Sequence, residues 1–167
     1  MRSNVERVSP DLGYYLAGFA DGEGSFNVTF RKRRDYRAIP WKVSLCFNVS
    51  QRDEEILRVF QRELGCGSMR MRRDGVWYFE VNDLEEITHA VIPFFERFGF
   101  LSLKKKRDFQ KFTELAAMLR DGSHRTVDGV RRILRIRYDM NDGGAKRRKY
   151  ADEAILRHLR ESSEATR

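Results

Sequence analysis

The chain has no run of about 18 apolar residues, the length that reads as a membrane-crossing helix. Its only cysteines are Cys46 and Cys66, well separated and without a histidine cluster beside them. That scarcity excludes a disulfide framework and argues against a zinc site. The opening residues, "MRSNVERVSP", contain no apolar stretch of the signal-peptide kind. The expectation is a reduced, intracellular protein, in a bacterial cytoplasm or an organelle, with no membrane partner. Low-complexity segments and internal repeats are also missing. At 167 residues the chain is of single-domain size. A domain of that length buries roughly 68–70% of its unfolded surface and needs no covalent staples.

Positive charge is abundant. The formal net charge is +8, and arginine outnumbers lysine 25 to 8. Residues 25–52 carry seven Lys or Arg and one acid. Two more basic runs follow, "LKKKRD" (103–108) and "AKRRKY" (145–150). A single run is ordinary solvated surface. Three separated runs with a net excess favour a polyanion, and nucleic acid best of all. Arginine suits bidentate contacts to guanine and phosphate.

Periodicity predicts an α+β protein with the element order αββαββα and a helical tail. Ser9-Pro10-Asp11 opens a first helix, with Gly22 and Gly24 expected to stop it. "SFNVTFR" (25–31) and "WKVSLCFNVS" (41–50) alternate as half-buried strands, with Phe26, Val28, Phe30, Trp41, Val43, Leu45, Phe47 and Val49 inward. Ser50-x-x-Asp53 resembles a helix start. "SMRMRRDGVWYFEV" (68–81) is a second hairpin turning at Asp74-Gly75, with Met69, Met71, Trp77, Phe79 and Val81 inward. A helix over about 83–98 carries Pro93, expected to bend it. Further helices start after Ser102 and at Thr126, and a last one covers about 151–162. Residues 1–167 then form one domain: a core over about 9–120 and a helical C-terminal part, with a basic loop, over about 121–167.

Both hairpins pair an aromatic inner face with a polar, arginine-rich outer face. A two-stranded ribbon fits the major groove, where every second side chain can meet a base edge. The candidates are Asn27, Thr29, Arg31, Lys42, Ser44, Asn48, Arg70 and Arg72. Arg33, Tyr78 and Glu80 belong to the same surface, and Lys146, Arg147 and Arg148 form a loop suited to phosphates. A solvent-facing sheet is polar too, so the pattern alone leaves both readings open.

One stretch stands out, "LAGFADGEG" (16–24). Two carboxylates, Asp21 and Glu23, are each followed by glycine in a strongly basic chain. On chemistry alone, turn residues at a helix end are the commoner explanation. The alternative is a site for a hard divalent cation, which takes carboxylate oxygens and keeps several waters. The cation would let an acid approach a phosphate backbone that otherwise repels it.

"LAGFADGEGSF" resembles the signature of the LAGLIDADG homing endonucleases, and the αββαββα order agrees with it. "VSLCFNVSQ", "FLSLKKK" and "MNDGGAKRRKY" resemble that family's second strand, its L-x-L-K segment and its basic C-terminal loop. With a single motif, the chain is most similar to the homodimeric members. The resemblance implies the LAGLIDADG fold, with an antiparallel DNA-binding sheet and C-terminal helices. It implies Glu23 as metal ligand, with Gly22 beside it, and Gln51 and Lys104 as groups that organise water and phosphate. Asp21 would cap the motif helix, and Leu16, Ala17, Gly18 and Ala20 would make a close helix contact between subunits. Glu54 and Glu55 stand where some relatives carry a basic residue. The implied activity is Mg²⁺-dependent hydrolysis of both strands of a long pseudo-palindromic double-stranded site, leaving short 3′ overhangs and promoting mobility of a host intron. Mn²⁺ or Ca²⁺ would substitute in vitro. An intron-splicing maturase, or an inactive DNA-binding protein on the same fold, is the alternative.

Overall fold

The computed structural model describes residues 4–33, 39–140 and 152–157. After a short 3-10 turn at Asn4–Arg7, helix α1 covers Pro10–Glu23. Strands β1 (Gly24–Lys32) and β2 (Trp41–Gln51), helix α2 (Glu54–Leu64) and strands β3 (Ser68–Met71) and β4 (Trp77–Val81) follow. Helix α3 then runs from Leu84 to Phe98, α4 covers Leu103–Arg120 and α5 covers Val127–Tyr138. Residues 152–157 are helical again. The expected αββαββα order is therefore present.

The four strands form one antiparallel sheet in the order β1-β2-β4-β3. Alternation assigns its faces as the sequence predicts. Phe26, Val28, Phe30, Val43, Leu45, Phe47, Val49, Phe79 and Val81 point toward the helices and are buried. Around Phe26 the rings of Phe47, Phe95, Phe100, Phe109 and Phe112 lie 4.8–5.8 Å away, centroid to centroid. Each fully buried phenylalanine contributes on the order of 1.5–3 kcal/mol, so this cluster anchors the helical layer on the sheet.

Several local expectations shift, each for a physical reason. Gly22 does not stop α1, which continues to Glu23 and passes directly into β1 at Gly24. A side chain at Gly24 would bring its Cβ within 2.6 Å of the Ala20 carbonyl oxygen, so only glycine permits this abrupt change of direction. Ser9 sits at the N-cap position of α1 without a side-chain cap bond. Ser50 does not begin α2. It stays in β2, opposite Tyr78, and Asp53 is the cap, its carboxylate accepting from Glu55 N–H at 3.0 Å. Met71 is 59% exposed, because β3 is a short edge strand whose end overhangs the core, whereas Met69 packs inward. The second hairpin turns at Asp74-Gly75 as expected, with Gly75 N–H bonded to Arg72 O and Gly75 at φ 78°.

Pro93 does not simply bend α3. The helix is α over Leu84–Glu86, π over Ile87–Val91 and α again over Ile92–Phe98. In an ordinary helix the proline ring collides with the carbonyl four residues before it. Here the wider turn immediately precedes Pro93, with Ile92 N–H bonded to Ile87 O, and the helix carries on through the proline. At the far end of the sheet, Arg137 pairs with Asp152 at 3.2 Å and lies 5.1 Å from the Phe30 ring centroid. The pair ties residues 152–157 to α5, whose Arg137 is buried against β1. Among the described residues, no helix is long and apolar enough to cross a membrane.

Candidate active site

The end of α1 and the end of β2 lie at one end of the sheet, because Gly24 pairs with Val49. Glu23, the last residue of α1, is therefore near the strand end that carries Gln51. Glu23 and Gly22 are exposed, and Gln51 is half-buried, its side-chain oxygen accepting from Arg52 N–H at 2.8 Å. The start of α4 closes the same end, and Asp21 makes the connection. Its carboxylate accepts from Leu101 N–H at 3.0 Å, from Ser102 N–H at 2.9 Å and from the Ser102 hydroxyl. Asp21 thus holds the entry to α4 rather than capping its own helix. Burial opposes its ionisation, but the Ser102 and Leu101 hydrogen bonds and nearby Lys105 outweigh that and hold the carboxyl below the usual range.

Lys104, the lysine singled out in the sequence, is exposed at the start of α4. Its neighbour Lys105 turns inward, half-buried, and donates to the Gly24 carbonyl oxygen. Burial pulls the Lys105 ammonium pKa down, and Lys104 adds to that, while Asp108, Asp21 and Glu23 oppose it. Asp108 is itself buried. The sequence did contain a signal for this group. Lys105 and Asp108 are three apart and so share one helix face, where a charged pair can be drawn inward together.

The motif helix also sorts its small residues. Leu16, Ala17 and Ala20 are buried in the chain's own core, so they do not form a contact surface for a second subunit. Gly18 and Gly22 lie on the opposite side, where a Cβ would meet nothing within 4 Å. Tyr14 and Tyr15 share that open side, and Leu101 and Leu103, 91% and 74% exposed, are the described chain's other large apolar exposures near the site.

The outer face of the sheet is polar throughout. Ser25 faces Asn48, Asn27 faces Cys46, Thr29 faces Ser44 and Arg31 faces Lys42. Asn27 donates to the Ser25 hydroxyl at 3.1 Å and Thr29 to the Ser44 carbonyl at 3.4 Å. Burial pushes the Cys46 thiol up to about 11, so it presents a neutral S–H in this face. Arg33 ends the ribbon, its N–H bonded to Pro40 O. Arg70, Arg72, Tyr78 and Glu80 cluster on the second hairpin. Lys146, Arg147 and Arg148 lie outside the described residues.

Among the described residues, no group of three or more His, Cys, Asp or Glu side chains could enclose a metal. The chain offers Glu23 as an exposed carboxylate at a helix end. That donor set does not suit zinc, but it suits one half of a Mg²⁺ site, since Mg²⁺ takes one or two carboxylates and keeps waters and phosphate oxygens.

A profile of the LAGLIDADG endonucleases matches residues 16–116, more than half of the chain. The chain belongs to the LAGLIDADG endonuclease family. Among similar proteins, the homing endonuclease I-ApeII of Aeropyrum pernix is 27% identical over 148 residues, covering 86% of this chain and 87% of that protein. The probable intron-encoded endonuclease 2 of Neurospora crassa is 29% identical over 147 residues. The chain spans 85% of its own length in that match but only 32% of the Neurospora protein. Among solved structures, the archaeal intron-encoded homing endonuclease I-Vdi141I, complexed with DNA, superposes with a TM-score of 0.80 at 25% identity, over 91% of this chain and 96% of that one. The homing endonuclease I-TnaI gives 0.73 at 28% identity, over 96% and 99%.

Proposed function

We propose that two copies of this chain form a site-specific DNA endonuclease in which each copy hydrolyses one strand. The observation that carries this reading is an exposed acid, Glu23, set at the end of a polar, basic sheet face beside an inward lysine. A polyanion laid along that face meets this carboxylate at the sheet end. Its position there is electrostatically sensible only with a cation between acid and phosphate. Glu23 and the Gly22 carbonyl oxygen would hold the ion. The ion would supply Lewis-acid stabilisation of the phosphate and an activated water.

The protein's own groups do the remaining work. Gln51, at the end of β2, orients water by hydrogen bonding. Lys104 and Lys105 place positive charge beside the scissile phosphate, Lys105 from a fixed position against Gly24 O. Asn27, Thr29, Arg31, Lys42, Ser44 and Asn48 follow the groove and read base edges, while the 146–148 loop adds phosphate contacts. One acid arm per chain cannot cut two strands, which calls for a symmetric dimer. The open side of α1 supports it. Gly18 and Gly22 let a second helix approach closely, and Tyr14, Tyr15, Leu101 and Leu103 provide apolar area to bury. The ion is Mg²⁺, the products carry short 3′ overhangs, and the cut promotes mobility of a host intron.

Glu23→Gln tests the assignment. The variant keeps size and hydrogen bonding but loses the charge, so cutting of the selected site should fall to background while specific binding persists. Undiminished cutting by Glu23→Gln removes the metal-ligand assignment.

A further inference from the structure

The second hairpin carries a side-chain arrangement unlike the rest of the polar face. Arg70 donates from Nε to Glu80 Oε2 at 2.9 Å and from Nη2 to Glu80 Oε1 at 2.8 Å. Its guanidinium also lies 5.0 Å from the centroid of the Tyr78 ring. Arg72 donates to the same tyrosine's hydroxyl at 2.7 Å, lies 5.4 Å from its ring centroid and reaches Asp74 at 3.6 Å. One acid and one aromatic ring therefore fix Arg70, and a second arginine fixes the ring.

The geometry leaves a defined edge free for recognition. A guanidinium has five N–H donors in a rigid plane. Glu80 takes the side edge, Nε and one hydrogen of Nη2. The end edge, Nη1 with the other Nη2 hydrogen, is the fork that matches guanine O6 and N7. The Arg70 side chain is 54% exposed, so that fork is accessible. Glu80 is only 18% exposed, and each of its oxygens already accepts from Arg70. A carboxylate so engaged is poorly placed to accept from the amino group of cytosine.

Resting on the reading that this face binds DNA, we propose that Arg70 reads a guanine in each half-site and that Glu80 is a positioning residue that presents it. Tyr78 is the platform beneath, also without a base contact of its own. Ordering the arginine before binding lowers the entropy lost when it docks, so the pair sharpens specificity although it spends one positive charge.

The full chain would first select its preferred site from a randomised double-stranded DNA pool. Binding to single-substitution variants of that site would then be measured for the wild type, Glu80→Gln and Arg70→Lys. The wild type should prefer guanine at one symmetric position. Each variant should reduce that preference about tenfold and leave the other positions unchanged, which also reports an intact fold. The double variant should lose no more than either single one. Glu80→Gln should bind unselected DNA at least as well as wild type, because the face becomes more positive. A guanine preference retained or strengthened in Glu80→Gln overturns the proposal while leaving the DNA-binding reading in place. A wild type that selects no sequence overturns both. If Glu80→Gln does not fold, Glu80→Asp takes its place, keeping the charge but too short to hold Arg70 at both Nε and Nη2. A guanine preference retained at full strength in Glu80→Asp, or retained in Arg70→Lys, sinks the proposal, and loss in both supports it.

Discussion

The two sides of α1 are built from similar small residues and meet opposite fates. On the inner side, Leu16, Ala17 and Ala20 are buried, and Gly13 is pressed so closely on Phe98 that a Cβ would come within 2.2 Å of the ring. On the outer side, Gly18 and Gly22 have nothing near them. The acids divide in the same way. Asp21 satisfies the entry to α4, whereas Glu23 stands exposed two residues later. Small size thus serves closeness within the chain on one side, and on the other leaves the open surface that the proposed second chain would meet.

Substitutions that fill each side should separate these roles. Gly13→Ala should cost the most in chain stability. It forces Phe98 from its place, an overpacking effect of about 1–3 kcal/mol, partly offset by better helix propensity. Equilibrium urea unfolding reads it as a lower midpoint. A midpoint equal to wild type would mean that the α1–α3 contact is looser than the structure has it.

Asp21→Ala should come next, at about 1–2 kcal/mol, because it strips acceptors from the N–H groups that begin α4. Its pH dependence has a fixed sign. Hydrogen bonds from Ser102 and Leu101 hold the Asp21 carboxyl below the usual carboxylate range, so its contribution is complete above the unfolded value and fades as pH falls through the folded one. Asp21→Asn should therefore flatten the acid limb of the stability profile and leave stability near neutral pH insensitive to pH. An unchanged acid limb would contradict the capping role.

Gly18→Ala should not destabilise the chain, since its Cβ would enter open space, and better helix propensity should raise stability by up to about 1 kcal/mol. It should weaken self-association, read by sedimentation as a shift toward monomer, and Gly18→Leu should shift it further. Equal association in all three would detach the open side of α1 from dimer formation.

Much of this was legible in the sequence because local physics wrote it there. The alternation of β1 and β2 follows from a sheet with one buried and one polar face, and Thr126, whose hydroxyl accepts from Gly129 N–H, opens α5 as its residue type suggests. The missed features depend on partners far along the chain. Asp21 finds its donors 80 and 81 residues away, and nothing in "ADGEG" announces them. Ser50 looked like a cap until pairing with β4 carried β2 to Gln51. Lys104 matched a family segment, but the rotation of α4 brings its neighbour Lys105 against Gly24. Leu12, Tyr15, Leu16 and Phe19 have helical spacing and read as the apolar side of α1, but Tyr15 is exposed and the inward side runs through Gly13, Leu16, Ala17 and Ala20, whose small residues carry little hydrophobic signal.

In the proposed dimer each chain contributes one acid to one strand. The direct measurement uses a supercoiled plasmid carrying the selected site and dimers that combine one wild-type chain with one Glu23→Gln chain, purified through different affinity tags. The mixed dimer should convert the plasmid to nicked circles and no further, while the wild-type dimer yields linear DNA. Linear product from the mixed dimer, at the wild-type rate, would contradict it.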